Sequence, residues 1–264
     1  MTLVTHMSDK IYLSVIIPSY NETANLKRGV LSEVNTYLAR QKYSWEVIIS
    51  DDGSPEEESR QLARDFCDKT SNFIYLQNEH GGKAFAVYTG VQKSSGELVL
   101  FTDMDQSTPI SELEKILPQF DRGFDIVIGS RGEESQDSPL LRLVAHKVFL
   151  TFRRIFLLGN FVDTQAGFKA FRGPVIKEIF PILQAVQSPP DKKSGWNPTA
   201  FDVELLVAAQ ARGYKVTDVP IKWQDRDIST GKSRGLVKFA RESLEMLHEV
   251  FRVKANDLSG HYRK

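Results

Sequence analysis

A single cysteine, Cys67, stands among 264 residues, which excludes an internal disulfide framework and any cysteine-based metal cluster. It lies beside Phe66 in a helical pattern and reads as core. Neither sign of charge is in excess: 34 Lys and Arg face 34 Asp and Glu. No global field therefore steers the chain to nucleic acid or to an anionic surface, and any basic site must be local. Long hydrophobic runs are missing too. No stretch approaches the ~20 apolar residues that span a bilayer, and Met1 to Lys10 lacks the apolar centre of a signal peptide, so a cytoplasmic protein is expected. Histidines at metal-ligand spacing are lacking, and His80, His146 and His248 are assigned no chemistry.

What is present is alternation. Leu13 to Ile17, Trp45 to Ser50, Phe73 to Leu76, Glu97 to Phe101 and Phe124 to Ile128 are short, β-branched and bounded by turn formers. Between them, apolar residues recur at helical spacing: Leu26, Val30, Val34 and Leu38; Leu62 and Phe66; Ala84, Val87, Tyr88 and Val91; Leu113, Ile116 and Leu117. The pattern predicts βαβ units in one α/β domain, with a mostly parallel central sheet flanked by helices. The expected organisation is a tail over 1–10, a catalytic domain over 11–223, and a polar loop with a C-terminal amphipathic helix over 224–264. In such sheets ligands bind beyond the carboxyl ends of the strands, so the loops there are read together.

The apolar run of the fourth strand gives way to Asp103-Met-Asp105 just past its carboxyl end. Residues i and i+2 of a strand project to one face, so both carboxylates are expected to converge where a hard cation, Mg²⁺ or Mn²⁺, takes one or two of them and the phosphates of its ligand. The first loop, Pro18-Ser-Tyr-Asn-Glu22, and the second, Asp51-Asp-Gly-Ser54, are acidic and polar. Neither is a Gly-x-Gly-x-x-Gly or a Walker loop, which disfavours a Rossmann dehydrogenase and a P-loop NTPase. In Glu79-His-Gly-Gly-Lys83, the Gly81 and Gly82 amides and the Lys83 ammonium suit a diphosphate. Arg131 brings another cation to the same edge.

Ser14-Val-Ile-Ile-Pro-Ser-Tyr-Asn-Glu22, Val47-Ile-Ile-Ser-Asp-Asp-Gly-Ser54, the Asp103-x-Asp105 pair and Gly129-Ser-Arg131 resemble successive motifs of the family 2 inverting glycosyltransferases with the GT-A fold. Asp163-Thr-Gln-Ala-Gly-Phe-Lys169, Phe201-Asp-Val-Glu-Leu-Leu206 and Gly213 to Pro220 resemble the branch that glycosylates polyprenyl phosphates, the dolichyl-phosphate glucosyl- and mannosyltransferases. The resemblance implies that Asp103 and Asp105 hold the metal and the diphosphate, and that Pro18, Tyr20, Glu22, Asp52 and Met104 bind the nucleotide sugar together with Lys83. It implies acceptor contacts for Gln165, Lys169, Arg226 and Lys232. The wording around Thr102 to Thr108 and Asp163 sits closer to the glucosyl branch, whereas Gln106 directly after Asp105 departs from the mannosyl pattern.

A polyprenyl phosphate is already anionic and attacks C1 without a general base. The protein then aligns the two substrates, while the metal, Lys83 and Arg131 stabilise charge on the leaving nucleoside diphosphate. A hydroxyl acceptor would instead require Asp163, Asp202 or Glu204 as base. The expected reaction is transfer of glucose from UDP-glucose. Alternatives are mannose from GDP-mannose, a sugar-1-phosphate nucleotidyltransferase, which the first loop argues against, and a non-catalytic nucleotide-sugar binding module. Contact with the cytoplasmic face of a membrane is expected to be peripheral, through Leu140 to Leu158, where Leu141, Val144, Val148, Phe152, Ile155 and Phe156 alternate with Arg142, Lys147, Arg153 and Arg154. Leu236 to Val253 offers a second amphipathic face through Leu236, Ala240, Leu244, Leu247 and Phe251, and 185–198 reads as a mobile loop.

Overall fold

The computed structural model describes residues 10–131, 166–187, 201–226 and 248–263. The five expected strands form with their ends adjusted by a few residues: β1 (Leu13–Ser19), β2 (Trp45–Asp51), β3 (Phe73–Gln77), β4 (Leu98–Thr102) and β5 (Ile126–Arg131). Two more, β6 (Phe168–Arg172) and β7 (Val216–Ile221), complete a seven-stranded sheet of order β3-β2-β1-β4-β6-β5-β7. All neighbours are parallel except β6, which runs antiparallel to β4 and β5. β1, β2 and β4 are buried along their whole length, as strands covered by helices on both faces must be.

The helical periodicities fold as α1 (Thr23–Lys27), α2 (Val30–Leu38), α3 (Glu57–Lys69), α4 (Lys83–Lys93) and α5 (Leu113–Asp121). The apolar spacing from Leu26 to Leu38 suggests one continuous helix. The chain instead breaks at Arg28 and a left-handed Gly29 (φ 86°), which separate α1 from α2. α6 (Gly173–Ile179), α7 (Gln184–Gln187) and α8 (Phe201–Ala211) follow. α7 makes the start of the expected 185–198 loop helical; the rest of that loop lies outside the described residues. One core packs around Val34, Ile49, Leu100 and Ile116, the other around Val87, Phe101, Phe171 and Leu206. Cys67 is buried, and burial, with Asp68 nearby, pushes its thiol up to about 12.

The described part of the C-terminal segment, 248–263, joins the second core, and of the expected apolar face only Phe251 lies within it. Val250, Val253 and Tyr262 are fully buried, while Phe251 is 55% exposed. Glu204 anchors this region: its carboxylate accepts from the amides of Gln184 (2.9 Å) and Ala185 (3.2 Å) and from Tyr262 Oη (2.8 Å), with Arg252 at 3.8 Å. Glu204→Ala leaves those buried donors unpaired, so we expect a loss of roughly 3–5 kcal/mol in denaturant unfolding. A wild-type midpoint would show that the anchor lies elsewhere.

Candidate active site

Every strand that carries a motif delivers it to one edge of the sheet. Parallel registry of β1 with β2 sets Ser19 beside Asp51, and Asp52 N–H donates to Ser19 O at 2.9 Å. Tyr20 follows and stacks on His80, ring centroids 4.8 Å apart and planes at 26°. Glu22 is half-buried at the start of α1; its N–H donates to Ser59 Oγ (2.9 Å) and its carboxylate accepts from Asn25 (2.6 Å). Pro18 is buried within β1.

β4 ends at Thr102, so Asp103 and Asp105 lie just past its carboxyl end, as expected. They sit in a turn closed by Gln106 N–H to Asp103 O (3.2 Å), with Gln106 in the left-handed region (φ 49°). Gln106 is buried, and its side-chain amide donates to Asp103 O at 2.9 Å, which makes it a lock on the turn. Met104 between the carboxylates is 2% exposed and packs into the first core, correcting its assignment to the nucleotide sugar. Asp105 accepts the Ser107 amide on Oδ1 at 2.8 Å.

Lys83, the first residue of α4, places Nζ 2.5 Å from Asp103 Oδ1. Burial disfavours its ammonium, but the charges of Asp103, Asp202 and Asp105 outweigh this and raise its pKa. Lys83 therefore stays protonated through neutral pH. The reversed direction of β6 matters here. Phe168 pairs with Thr102, so the residues entering β6 lie against those leaving β4, and a Cβ on Gly167 would overlap the Asp103 carboxylate. Arg131 ends β5 with its guanidinium 5.6 Å from the centroid of the Trp223 ring, just beyond β7.

Several residues assigned to ligands serve the fold. Both oxygens of fully buried Asp52 accept backbone amides, Gly81 N–H at 2.8 Å and Gly82 N–H at 2.9 Å, so these amides point at Asp52 and not at a phosphate. Lys169 is fully buried, bonded to Ala166 O and, at 2.6 Å, to Asp202 Oδ1, which removes it from the acceptor set. The Arg226 guanidinium is held bidentately by Glu33 at 3.0 Å and 3.0 Å, close to the site but engaged. Asp163, Gln165, Lys232 and the 140–158 segment lie outside the described residues.

Arg28 joins the site without a signal in the sequence. Its guanidinium donates to Asp105 O (2.6 Å) and Arg226 O (3.2 Å), tying the end of α1 to the carboxylate turn and to the segment after β7. Local patterning carries no sign of this, because Arg28 and Asp105 meet only across the sheet edge. His80, given no chemistry, also belongs here: Nδ1 lies 2.9 Å from Asp52 Oδ2.

Asp103 and Asp105 bring two carboxylates to one turn beside a protonated lysine. Among the described residues no group of three or more His, Cys, Asp or Glu forms a metal site. Two carboxylates suit Mg²⁺ or Mn²⁺ when phosphate oxygens complete the shell, so the donor set fits such a cation. Among the described residues no helix is long and apolar enough to cross a membrane.

The Glycosyl transferase family 2 model matches residues 14–180. A dolichyl-phosphate beta-glucosyltransferase of Trichomonas vaginalis is 30% identical over 254 residues, 90% of this chain and 73% of the relative. The dolichyl-phosphate beta-glucosyltransferase of Saccharomyces cerevisiae is 30% identical over 283 residues, 98% of this chain and 79% of the relative. Glucosyl-3-phosphoglycerate synthase from Mycobacterium tuberculosis, solved with Mn²⁺, UDP-glucose and phosphoglyceric acid, shares the fold with a TM-score of 0.62 and 14% identity, covering 93% of this chain and 80% of that one.

Proposed function

The chain belongs to glycosyl transferase family 2, and from that premise we propose that it transfers glucose from UDP-glucose to a polyprenyl phosphate of the dolichyl type, with inversion at C1 and with Mg²⁺ or Mn²⁺. The observation that carries this reading is the meeting of Lys83, Asp103 and Asp105 at the ligand-bearing edge of the sheet. The relatives named for dolichyl-phosphate glucosyl transfer support the choice of sugar and acceptor.

Asp103 and Asp105 would hold the cation, which when bound would neutralise charge on the diphosphate. Lys83 would add a point charge for the diphosphate, and Arg131, at the end of β5, a planar donor. Tyr20 and Glu22 face the nucleoside. The acceptor phosphate is ionised at neutral pH and attacks C1 directly, so the protein orients it and excludes water. Of the candidate bases for a hydroxyl acceptor, Glu204 is committed to anchoring α7 and the C-terminal segment, whereas Asp202 pairs with Lys169 through Oδ1 and its charge also acts on Lys83.

Thermal unfolding with nucleotide sugars in Mn²⁺ tests the donor, because a ligand that binds only the native state raises stability by mass action. UDP-glucose is expected to shift the midpoint and to yield labelled product with a short water-soluble prenyl phosphate. A shift with GDP-mannose alone would replace glucose by mannose in this reading. Failure of both donors would remove it.

A further inference from the structure

We infer that Arg28 is a positioning residue: its guanidinium grips the backbone of Asp105 and of Arg226 at once, and so fixes the carboxylate turn in the form that takes a cation. The inference rests on Asp105 being a cation ligand, as proposed above, but the bridge itself is built from contacts independent of any ligand.

Arg28 is the C-cap of α1, and the left-handed Gly29 (φ 86°) follows it and turns the chain into α2. Its two terminal nitrogens serve different elements. One donates to Asp105 O at 2.6 Å, 77 residues away, and the other to Arg226 O at 3.2 Å, 198 residues away. These two elements also meet directly: Ser107 accepts Gln224 N–H on its carbonyl at 2.9 Å and Arg226 N–H on Oγ at 3.1 Å, so the segment after β7 lies along the turn. The third nitrogen, Nε, is buried without a hydrogen-bond partner among the described residues. Burying a polar group unpaired costs stability, so the placement is expensive for the fold alone. What it provides is a planar fork that spans two carbonyls, which the point charge of a lysine does not reproduce.

The consequence falls on the Asp105 carboxylate. Oδ1 accepts the Ser107 amide of the same turn at 2.8 Å, so the side chain is oriented by the turn's backbone. Gln106 fixes the Asp103 carbonyl of that backbone at 2.9 Å, and Arg28 fixes the Asp105 carbonyl from another element. Groups that orient a ligand without touching the metal themselves change metal affinity by about 10- to 100-fold when they are removed.

Two measurements test this on the whole chain. The first is calorimetry of UDP binding across a series of Mn²⁺ concentrations. Arg28→Met is expected to raise the Mn²⁺ needed for half-maximal binding about tenfold and to change UDP affinity without metal by less than about twofold. An unchanged Mn²⁺ requirement, or an equal loss with and without metal, would overturn the inference. Arg28→Lys keeps the charge without the fork and is expected to behave as Arg28→Met does; a native Mn²⁺ requirement in the lysine variant would show that charge alone suffices and would overturn the bridge.

The second measurement needs no nucleotide. Hydrogen exchange read by mass spectrometry is expected to quicken about tenfold at both 103–108 and 222–226 in Arg28→Met, with α3 unchanged, as local opening predicts. Native exchange at either segment would overturn the bridge. Should Arg28→Met fail to fold, Arg28→Lys carries both measurements with the same expected results. If wild-type protein does not bind UDP in Mn²⁺, the donor assignment falls, and the exchange experiment alone decides the role of Arg28.

Discussion

Gly167→Ala is expected to lower transfer by about a hundredfold while leaving the fold intact, because small displacements of a reacting constellation cost that much. The new Cβ would overlap the Asp103 carboxylate. What must yield is the end of a side chain, 39% exposed, so the strain is relieved by rotating Asp103 and not by moving the sheet. That rotation is the damage. It takes one of two candidate metal ligands out of place and breaks the 2.5 Å pair with Lys83. Thermal unfolding should change little, whereas affinity for UDP in Mn²⁺ should fall with turnover. Wild-type nucleotide affinity and turnover in this variant would show that the Asp103 carboxylate need not occupy its present position.

Asp105→Asn removes charge and keeps shape. The side-chain oxygen that remains after the substitution can still accept from Ser107 N–H, a bond of 2.8 Å in the native chain. Arg28 still binds the backbone carbonyl at 2.6 Å, so the turn should survive. The loss should appear in chemistry: metal stabilisation of a departing diphosphate is worth several kcal/mol, and each ~1.4 kcal/mol is tenfold in rate, which gives a decrease of about 10²- to 10³-fold. Single-turnover transfer in saturating Mn²⁺ measures it directly. Native rates would remove Asp105 from the mechanism.

Five strands and the helices between them were legible because βαβ units write their burial into the chain as short β-branched runs alternating with helical periodicity. β6 was not. Phe168–Arg172 carries Lys169 at its second position, and a buried lysine is invisible to a reading that equates charge with solvent. Its burial is offset by Asp202, which lies 33 residues away and becomes a neighbour only after β6 has paired with β4. The ion pair of Arg226 was hidden for the same reason: its partner, Glu33, is 193 residues distant.

By itself the sequence determined the α/β class, the edge at which the motifs gather and the identities of Lys83, Asp103 and Asp105, since alternation and strand-end position are local properties. Tertiary structure alone decided which charges stand ready for a ligand and which are already committed. Asp52 and Asp103 are the same residue type, each placed just past the end of a strand. One is enclosed by the 80–82 turn, while the other is 39% exposed against Lys83 and Gly167. The difference is physical: a carboxylate's role depends on the donors that surround it, and those arrive from parts of the chain that only folding brings together.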